Sequence, residues 1–356
     1  MPEVEIEEVR RFMVESLVAA GAPVSEARAQ ADLLVYADIV GHYSHGLNRL
    51  ELYINDIKGG VTVPNEKPVI LKESAATAWV DGMDTLGATA ANFCMDLAIK
   101  KAKECGVGWV SVKRTSHFGM AGYWAKKAEE QGLIGMAFTN SAPIMVPTRS
   151  KKSACGTNPL AVAAPALDGD SLVVDMATTT AAMGKIEMQI HKEEPIPDGW
   201  ALGPDGKTTT DAQLAFKTAK LLPLGGFENT SGHKGFCLNT MVEIFCSGLS
   251  GSNPSHKVPA WTFNQETSPN LGQCFAAIDP QCFAPGFGER VSECLKHWRN
   301  LESVDPTLPV LAPGDKERDI RRTTTERGTI VYPQAQIENY HRMAKSIDVK
   351  LLRVMS

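Results

Sequence analysis

The chain has 356 residues, 43% hydrophobic and 22% charged, and a formal net charge of -5. That composition fits an ordinary globular protein with room for two domains and a large core. The acidic balance gives no electrostatic reason to expect nucleic acid or an anionic membrane as a partner, and no apolar run approaches the roughly 20 residues of a membrane span.

The amino terminus, Met1 to Glu8, is acidic and lacks the features of a signal or transit peptide, so a cytoplasmic location is expected. Eight cysteines without a C-x-x-C pair are expected to be buried free thiols. The first 60 or so residues predict three helices. Val9, Phe12, Met13 and Leu17 form one apolar stripe, ended by Gly21 and Pro23. Ser25 is the expected N-cap of a second, carrying Ala27, Ala31, Leu34 and Ala37. Leu47, Leu50, Ile54 and Ile57 form the third.

At the second junction stands Ser44-His45-Gly46-Leu47-Asn48-Arg49. Ser44 is expected to cap the third helix, and the i, i+4 spacing to set His45 and Arg49 on one helix face. An imidazole beside a guanidinium suits a small carboxylic acid that bears a reacting hydroxyl or carbonyl. A Ser-His hydrolase is disfavoured, because adjacent serine and histidine do not face each other on a helix and no G-x-S-x-G is present.

From residue 76 short apolar runs alternate with helical stretches. Thr77–Val80 leads to a helix with Leu86, Ala90, Phe93 and Leu97, ending at Gly106. Gly108–Val112, a helix over Tyr123–Gln131, and the runs Leu133–Thr139, Leu160–Ala164 and Ser171–Met176 follow. The alternation predicts βαβ units and a sheet of parallel character. Ser116-His117-Phe118-Gly119 sits where a strand enters a helix, a common ligand position in α/β folds. Pro195–Asp211 is expected to be an excursion loop, Gly235–Gly251 a buried helix suited to a protomer interface, and Ser252–Gly272 loop or edge. A last helix over Gln334–Lys345 is expected to pack back on the amino end. No G-x-G-x-x-G or Walker loop is present, and no histidine or cysteine spacing indicates a metal site.

Read in order, these motifs resemble the type-2 malate/L-lactate dehydrogenases. Ser44–Arg49, Ser116–Gly119, Cys155-Gly156-Thr157-Asn158-Pro159-Leu160 and Asp175-Met176-Ala177-Thr178 carry the likeness, as do Trp200-Ala201, Leu222–Gly226, Lys234-Gly235 and Ala276–Pro280. The resemblance implies an α/β, non-Rossmann nicotinamide-binding fold: a mixed sheet flanked by helices (residues 76–314), plus a helical domain made of 1–75 joined by 315–356. It implies a homodimer, and NAD as cofactor with NADP as the alternative. Cofactor contacts are implied at His117, Phe118, Gly119, Gly122, Asn140, Ser141, Asp175, Met176, Ala177, Thr178, Lys185, Lys234, Pro313 and Gly314. The expected activity is reversible hydride transfer between NAD(P) and a small 2-hydroxy acid, malate first. Arg49 would pair with its carboxylate, Ser44 or Asn48 would orient it, and His45, ahead of His117, would move the proton. The competing expectations are a reductase of cyclic imines, a dehydrogenase of a ureido-hydroxy acid, and an inactive cofactor-binding relative.

Overall fold

The computed structural model describes residues 2–261 and 267–355. A short strand, β1 (Glu3–Glu5), leads into α1 (Ile6–Ala19) and α2 (Val24–Ile39). The predicted stripes of both helices are buried. Ser25 does not cap α2. Pro23 holds the cap position, with φ suited to a chain turning into a helix, and the Ser25 hydroxyl donates to Glu26 instead. α3 (Leu50–Lys58) buries Leu50, Tyr53, Ile54 and Ile57.

The next stretch comprises β2 (Val69–Glu73), β3 (Thr77–Asp81), α4 (Gly87–Cys105), β4 (Val107–Thr115), α5 (Ala121–Glu129), β5 (Ile134–Thr139), β6 (Leu160–Pro165) and β7 (Ser171–Met176). α6 (Met183–Lys192) follows. The Pro195–Asp211 stretch is more than a loop: it forms a hairpin of β8 (Ala201–Leu202) and β9 (Thr208–Thr209). With α7 (Ala212–Thr218) and α6 it encloses a small core of Ile186, Ile196, Ala201, Ala215 and Leu221. α8 (Gly232–Glu243) runs on through a π turn, Ile244–Gly248. It covers the sheet with Val242 and Cys246, but Met241, Ile244 and Leu249 are exposed, so the expected burial holds for one side only. Part of the Ser252–Gly272 stretch lies outside the described residues; its end opens β10 (Leu271–Ile278). α9 (Phe287–Arg299), α10 (Asp315–Arg327), β11 (Thr329–Val331) and α11 (Gln334–Ser346) complete the chain.

The main sheet has the order β2-β3-β4-β10-β5-β6-β7. Its parallel character is confined to the β3–β4 pair; every other pairing is antiparallel. The reason is β10, which arrives late in the chain and wedges between β4 and β5, keeping them from pairing directly. Ala276 of β10 faces Trp109 on one side and Met136 on the other. Being central and covered on both faces, β10 lacks the alternation that marks a half-exposed strand. Phe275 and Ala277 pack under α4 and α5, whereas Cys274 faces α8. The chain ends meet as expected: β1 pairs with β11, and one core unites Phe12, Leu34 and Leu47 with Ile330, Tyr332 and Tyr340.

All eight cysteines are free, but only Cys94, Cys246 and Cys274 are buried; Cys105, Cys237, Cys282 and Cys294 are exposed. Among the described residues no helix is long and apolar enough to cross a membrane.

α4 lies so close on β4 that a Cβ at Gly108 would fall 1.9 Å from the Ala98 carbonyl oxygen. Because the obstacle is backbone, Gly108→Ala is expected to lower unfolding stability by about 1–3 kcal/mol. Urea midpoints check this, and an unchanged midpoint would show that helix and strand are free to separate there.

Candidate active site

Between α2 and α3 the chain makes two 3-10 turns, Tyr43–His45 and Leu47–Arg49, broken at Gly46. Gly46 is required by a close approach: a Cβ there would lie 1.8 Å from Asp38 Oδ1. Asp38, fully buried on α2, accepts from Leu47 N at 2.9 Å and from the Tyr332 hydroxyl at 2.7 Å. Its burial pushes the carboxyl up to about 7.

This turn corrects three expectations. Ser44 does not cap α3, which starts six residues later behind a non-helical Gly46. His45 and Arg49 do not share a helix face, because no continuous helix joins them. Ser44 and His45 do face each other, with Oγ 2.9 Å from Nδ1. Arg49 still returns to the group by a different bond, donating from Nε to the Ser44 carbonyl at 2.6 Å.

The second Ser-His pair leaves the end of β4 as predicted, and its serine belongs to the frame. Ser116 donates to the Thr85 carbonyl at 3.1 Å, and its own carbonyl accepts from Gln273 Nε2 at 2.8 Å. His117 Nδ1 lies 2.6 Å from the Tyr53 hydroxyl and accepts from Gly119 N–H at 3.2 Å. The ring is near-parallel to His45 at 5.8 Å and to Trp261 at 4.4 Å. The two Ser-His motifs therefore meet in one cleft.

Burial is the largest influence on both imidazoles. It holds His45 down to about 3, helped by Arg49 and His42, and His117 well below the usual histidine range, helped by His45 and Arg49. Both rings are neutral at pH 7. Arg49 is itself desolvated, and its guanidinium donates to a backbone carbonyl, with no ion pair to a carboxylate among the described residues. A neutral acid–base pair beside an unmatched guanidinium is suited to an anionic substrate with a transferable proton.

A cavity of about 600 Å³ opens at the far end of the same loop. Of the predicted cofactor residues, Gly122, Asp175, Met176, Pro313 and Gly314 line it, together with His42 and Glu317. Gly122 N–H donates to Asp175 Oδ2 at 2.8 Å, and burial pushes the Asp175 carboxyl up to about 6. The volume and mixed lining fit part of a dinucleotide. Other predicted residues are used by the frame. Asn140 is fully buried, donating to the Asn253 carbonyl and accepting from Gly272 N–H. The Thr178 hydroxyl donates to the Thr157 carbonyl and accepts from Asn239. Ser141 Oγ accepts from Thr157 N–H, and the buried Phe118 gives its carbonyl to Trp124. Asn48, Lys185 and Lys234 are exposed, and none of these three lines the cavity; nor does Ala177. The start of α6 that carries Lys185 abuts the Ser44 side chain through Gly184.

Tyr53, Asp56, Trp261 and Asp38 were not singled out from sequence. The first two were open to discovery: Tyr53 and Asp56 follow Arg49 at i+4 and i+7, the spacing of one helix face. Trp261, in an aperiodic stretch, carries no local signal.

Comparison with known proteins places these features. A model of the malate/L-lactate dehydrogenase family matches residues 4–339. A malate dehydrogenase of Pyrococcus abyssi is 35% identical over 351 residues, covering 98% of this chain and 96% of the relative. An L-sulfolactate dehydrogenase of Methanocaldococcus jannaschii is 37% identical over 315 residues, covering 87% and 88%. Among solved structures, malate dehydrogenase from Pyrococcus horikoshii OT3 matches with a TM-score of 0.90 at 34% identity, covering 99% of this chain and 97% of that one.

The raised pKa of Asp38 has a consequence for stability. The folded chain keeps a proton that the unfolded chain releases, so this contribution is complete below about pH 4 and lost as pH rises through 7. Asp38→Asn retains an acceptor for Leu47 N–H and Tyr332 and is expected to lose less stability between pH 4 and 8. Urea midpoints across that range check it; parallel curves for the two proteins would exclude Asp38 as the titrating group.

Proposed function

This chain belongs to the malate/L-lactate dehydrogenase family and is a nicotinamide-dependent hydroxy-acid dehydrogenase; from that premise we propose that the Ser44–His117 cleft is where a malate-like 2-hydroxy acid reacts. The observation that carries this reading is the desolvated Arg49 beside two neutral imidazoles. Arg49 pairs with the substrate carboxylate and places the hydroxyl-bearing carbon in the cleft. Nicotinamide, when bound, supplies the two-electron acceptor that takes hydride from that carbon and returns it in the reverse direction.

The chain's own groups handle the proton. With Nδ1–H directed to Ser44 Oγ, His45 offers the Nε2 lone pair to the substrate hydroxyl. The hydroxyl proton moves to His45 Nε2 as the carbonyl forms, and the imidazolium gives it back in reduction. His117 has a different part. Gly119 N–H can only donate, so His117 Nδ1 accepts and the neutral ring keeps its proton on Nε2. That N–H is a hydrogen-bond donor to the substrate oxygen.

NAD is the proposed coenzyme. Asp175 and Glu317 set two carboxylates on the cavity, while of its cations Lys126 is paired with Glu129, Arg318 with Asp170 and Asp315, and Arg321 lies over the Tyr36 ring; that balance supports a ribose diol over a 2′-phosphate. The exposed apolar residues Met241, Ile244 and Leu249 support a homodimer that covers them. Four exposed thiols support a reducing, cytoplasmic setting. The shared core of the chain ends supports a helical unit formed from the two chain ends beside an α/β unit, with the expected boundary at 75/76 moved back, because β2 (Val69–Glu73) is the edge strand of the main sheet.

Two experiments test the reading. His45→Ala is expected to lower kcat about 100- to 10,000-fold with coenzyme affinity kept, measured by reduced-nicotinamide fluorescence. His117→Ala is expected to lower kcat less, and full kcat in both variants would sink the scheme. Malate, lactate, sulfolactate and ureidoglycolate, each assayed with NAD and NADP by absorbance, are expected to give the highest kcat/KM for malate with NAD. Failure to bind either coenzyme would favour an inactive relative.

A further inference from the structure

α3 holds His117 at two points: directly through the Tyr53 hydroxyl, and indirectly through a second residue. One turn further on, Asp56 is 4% exposed, and its carboxylate accepts from Trp261 Nε1 at 2.7 Å. Among the described residues no other donor to this carboxylate is found. Trp261 in turn lies over His117, ring centroids 4.4 Å apart and planes within 26°, and meets Tyr53 edge-on at 5.4 Å. A buried carboxylate with a single donor is expensive, and an apolar side chain would serve packing at this position better. The two grips restrain different motions. The Tyr53 hydroxyl fixes one nitrogen of His117, about which the ring could still tilt; the flat indole fixes its plane. Together they set the direction of Nε2.

We propose that Asp56 and Trp261 are positioning residues: Asp56 holds the indole, and the indole holds the plane of His117, so that Nε2 is aimed at the substrate oxygen. This rests on the reading of His117 as a substrate-facing donor. The bond also joins two distant parts of the chain, because Trp261 comes from the stretch between α8 and β10 and Asp56 from the amino-terminal helices.

The test compares W261F, D56A, D56N, the double variant W261F/D56A and the reference H117A, each first checked for cooperative thermal unfolding and coenzyme binding. W261F keeps a ring to stack but has no N–H; D56N keeps a carbonyl acceptor. W261F and D56A are each expected to lower kcat about 10- to 100-fold, from a misdirected donor, with substrate KM changed less than about threefold. D56N should restore kcat to within about threefold of the parent, and the double variant should be no worse than the worse single one. Parental kcat in folded W261F, losses that multiply in the double variant, or D56N as impaired as D56A would each overturn the proposal. A crippled H117A beside intact W261F and D56A overturns the positioning alone, whereas full activity in H117A overturns the reading of His117 beneath it.

Discussion

Asp38 is the constraint on which the cleft depends. A carboxyl with no exposed surface is costly unless donors match it; here two remote groups, the Leu47 backbone N–H and the Tyr332 hydroxyl just after β11, both donate to Oδ2, while Oδ1 has no partner among the described residues. The bond to Leu47 fixes where the second 3-10 turn begins, and so the place of Arg49. The bond to Tyr332 makes that turn depend on the return of the carboxyl end, which β1–β11 pairing and the shared core secure. The Ser44–Arg49 turn is therefore not a loop free to choose its shape. It is clamped from below by a group that contacts neither His45 nor His117.

The opposite wall is set by the sheet. β4 delivers His117 at its end, and Gln273 of β10 holds the preceding carbonyl. Wedging β10 between β4 and β5 thus does two things: it closes the centre of the sheet, and it supports the backbone that carries the second imidazole. The cleft lies where a helical layer meets a strand end, and α3 spans the gap with Tyr53 and Asp56 on successive turns, directly after Arg49. Rigid elements on both sides hold two rings at a separation that a flexible loop could not keep.

How much of this was legible in the sequence follows from which signals are local. The helices α1 and α2, the strands β3 to β7 and the cleft's named residues Ser44, His45, Arg49 and His117 announce themselves through periodicity, glycine stops and clustered polar groups. β10 does not. Its residues Leu271–Ile278 are covered on both faces, so no alternation marks them, and nothing local says that a strand so late in the chain enters the middle of the sheet. The shape of the active turn was hidden for a similar reason: the i, i+4 rule presumes a helix, and the break at Gly46 is imposed by Asp38, eight residues earlier. Asn140 and Thr178 show what else the sequence leaves hidden. Polar residues after strands look ready for a ligand, yet here their hydrogen-bonding capacity is consumed by neighbouring backbone. Only the partners, which the sequence does not display, distinguish the two cases.

The electrostatics of the cleft link binding to proton transfer. His45 is kept neutral by burial first and then by the positive charge of Arg49. In the proposed reading, a substrate carboxylate paired with Arg49 would cancel that second influence and add a negative charge close to the ring, so the imidazolium would become less costly once the substrate is in place. Without substrate that base would resist protonation, and with substrate it would be able to accept the hydroxyl proton. Arg49 would then act on both events, on binding through its fork of donors and on chemistry through the charge that the substrate neutralises. A lysine at the same position would retain the charge but lose the planar fork that holds a carboxylate in one orientation. For a reaction in which a hydride and a proton leave adjacent atoms in fixed directions, that orientation matters as much as the charge.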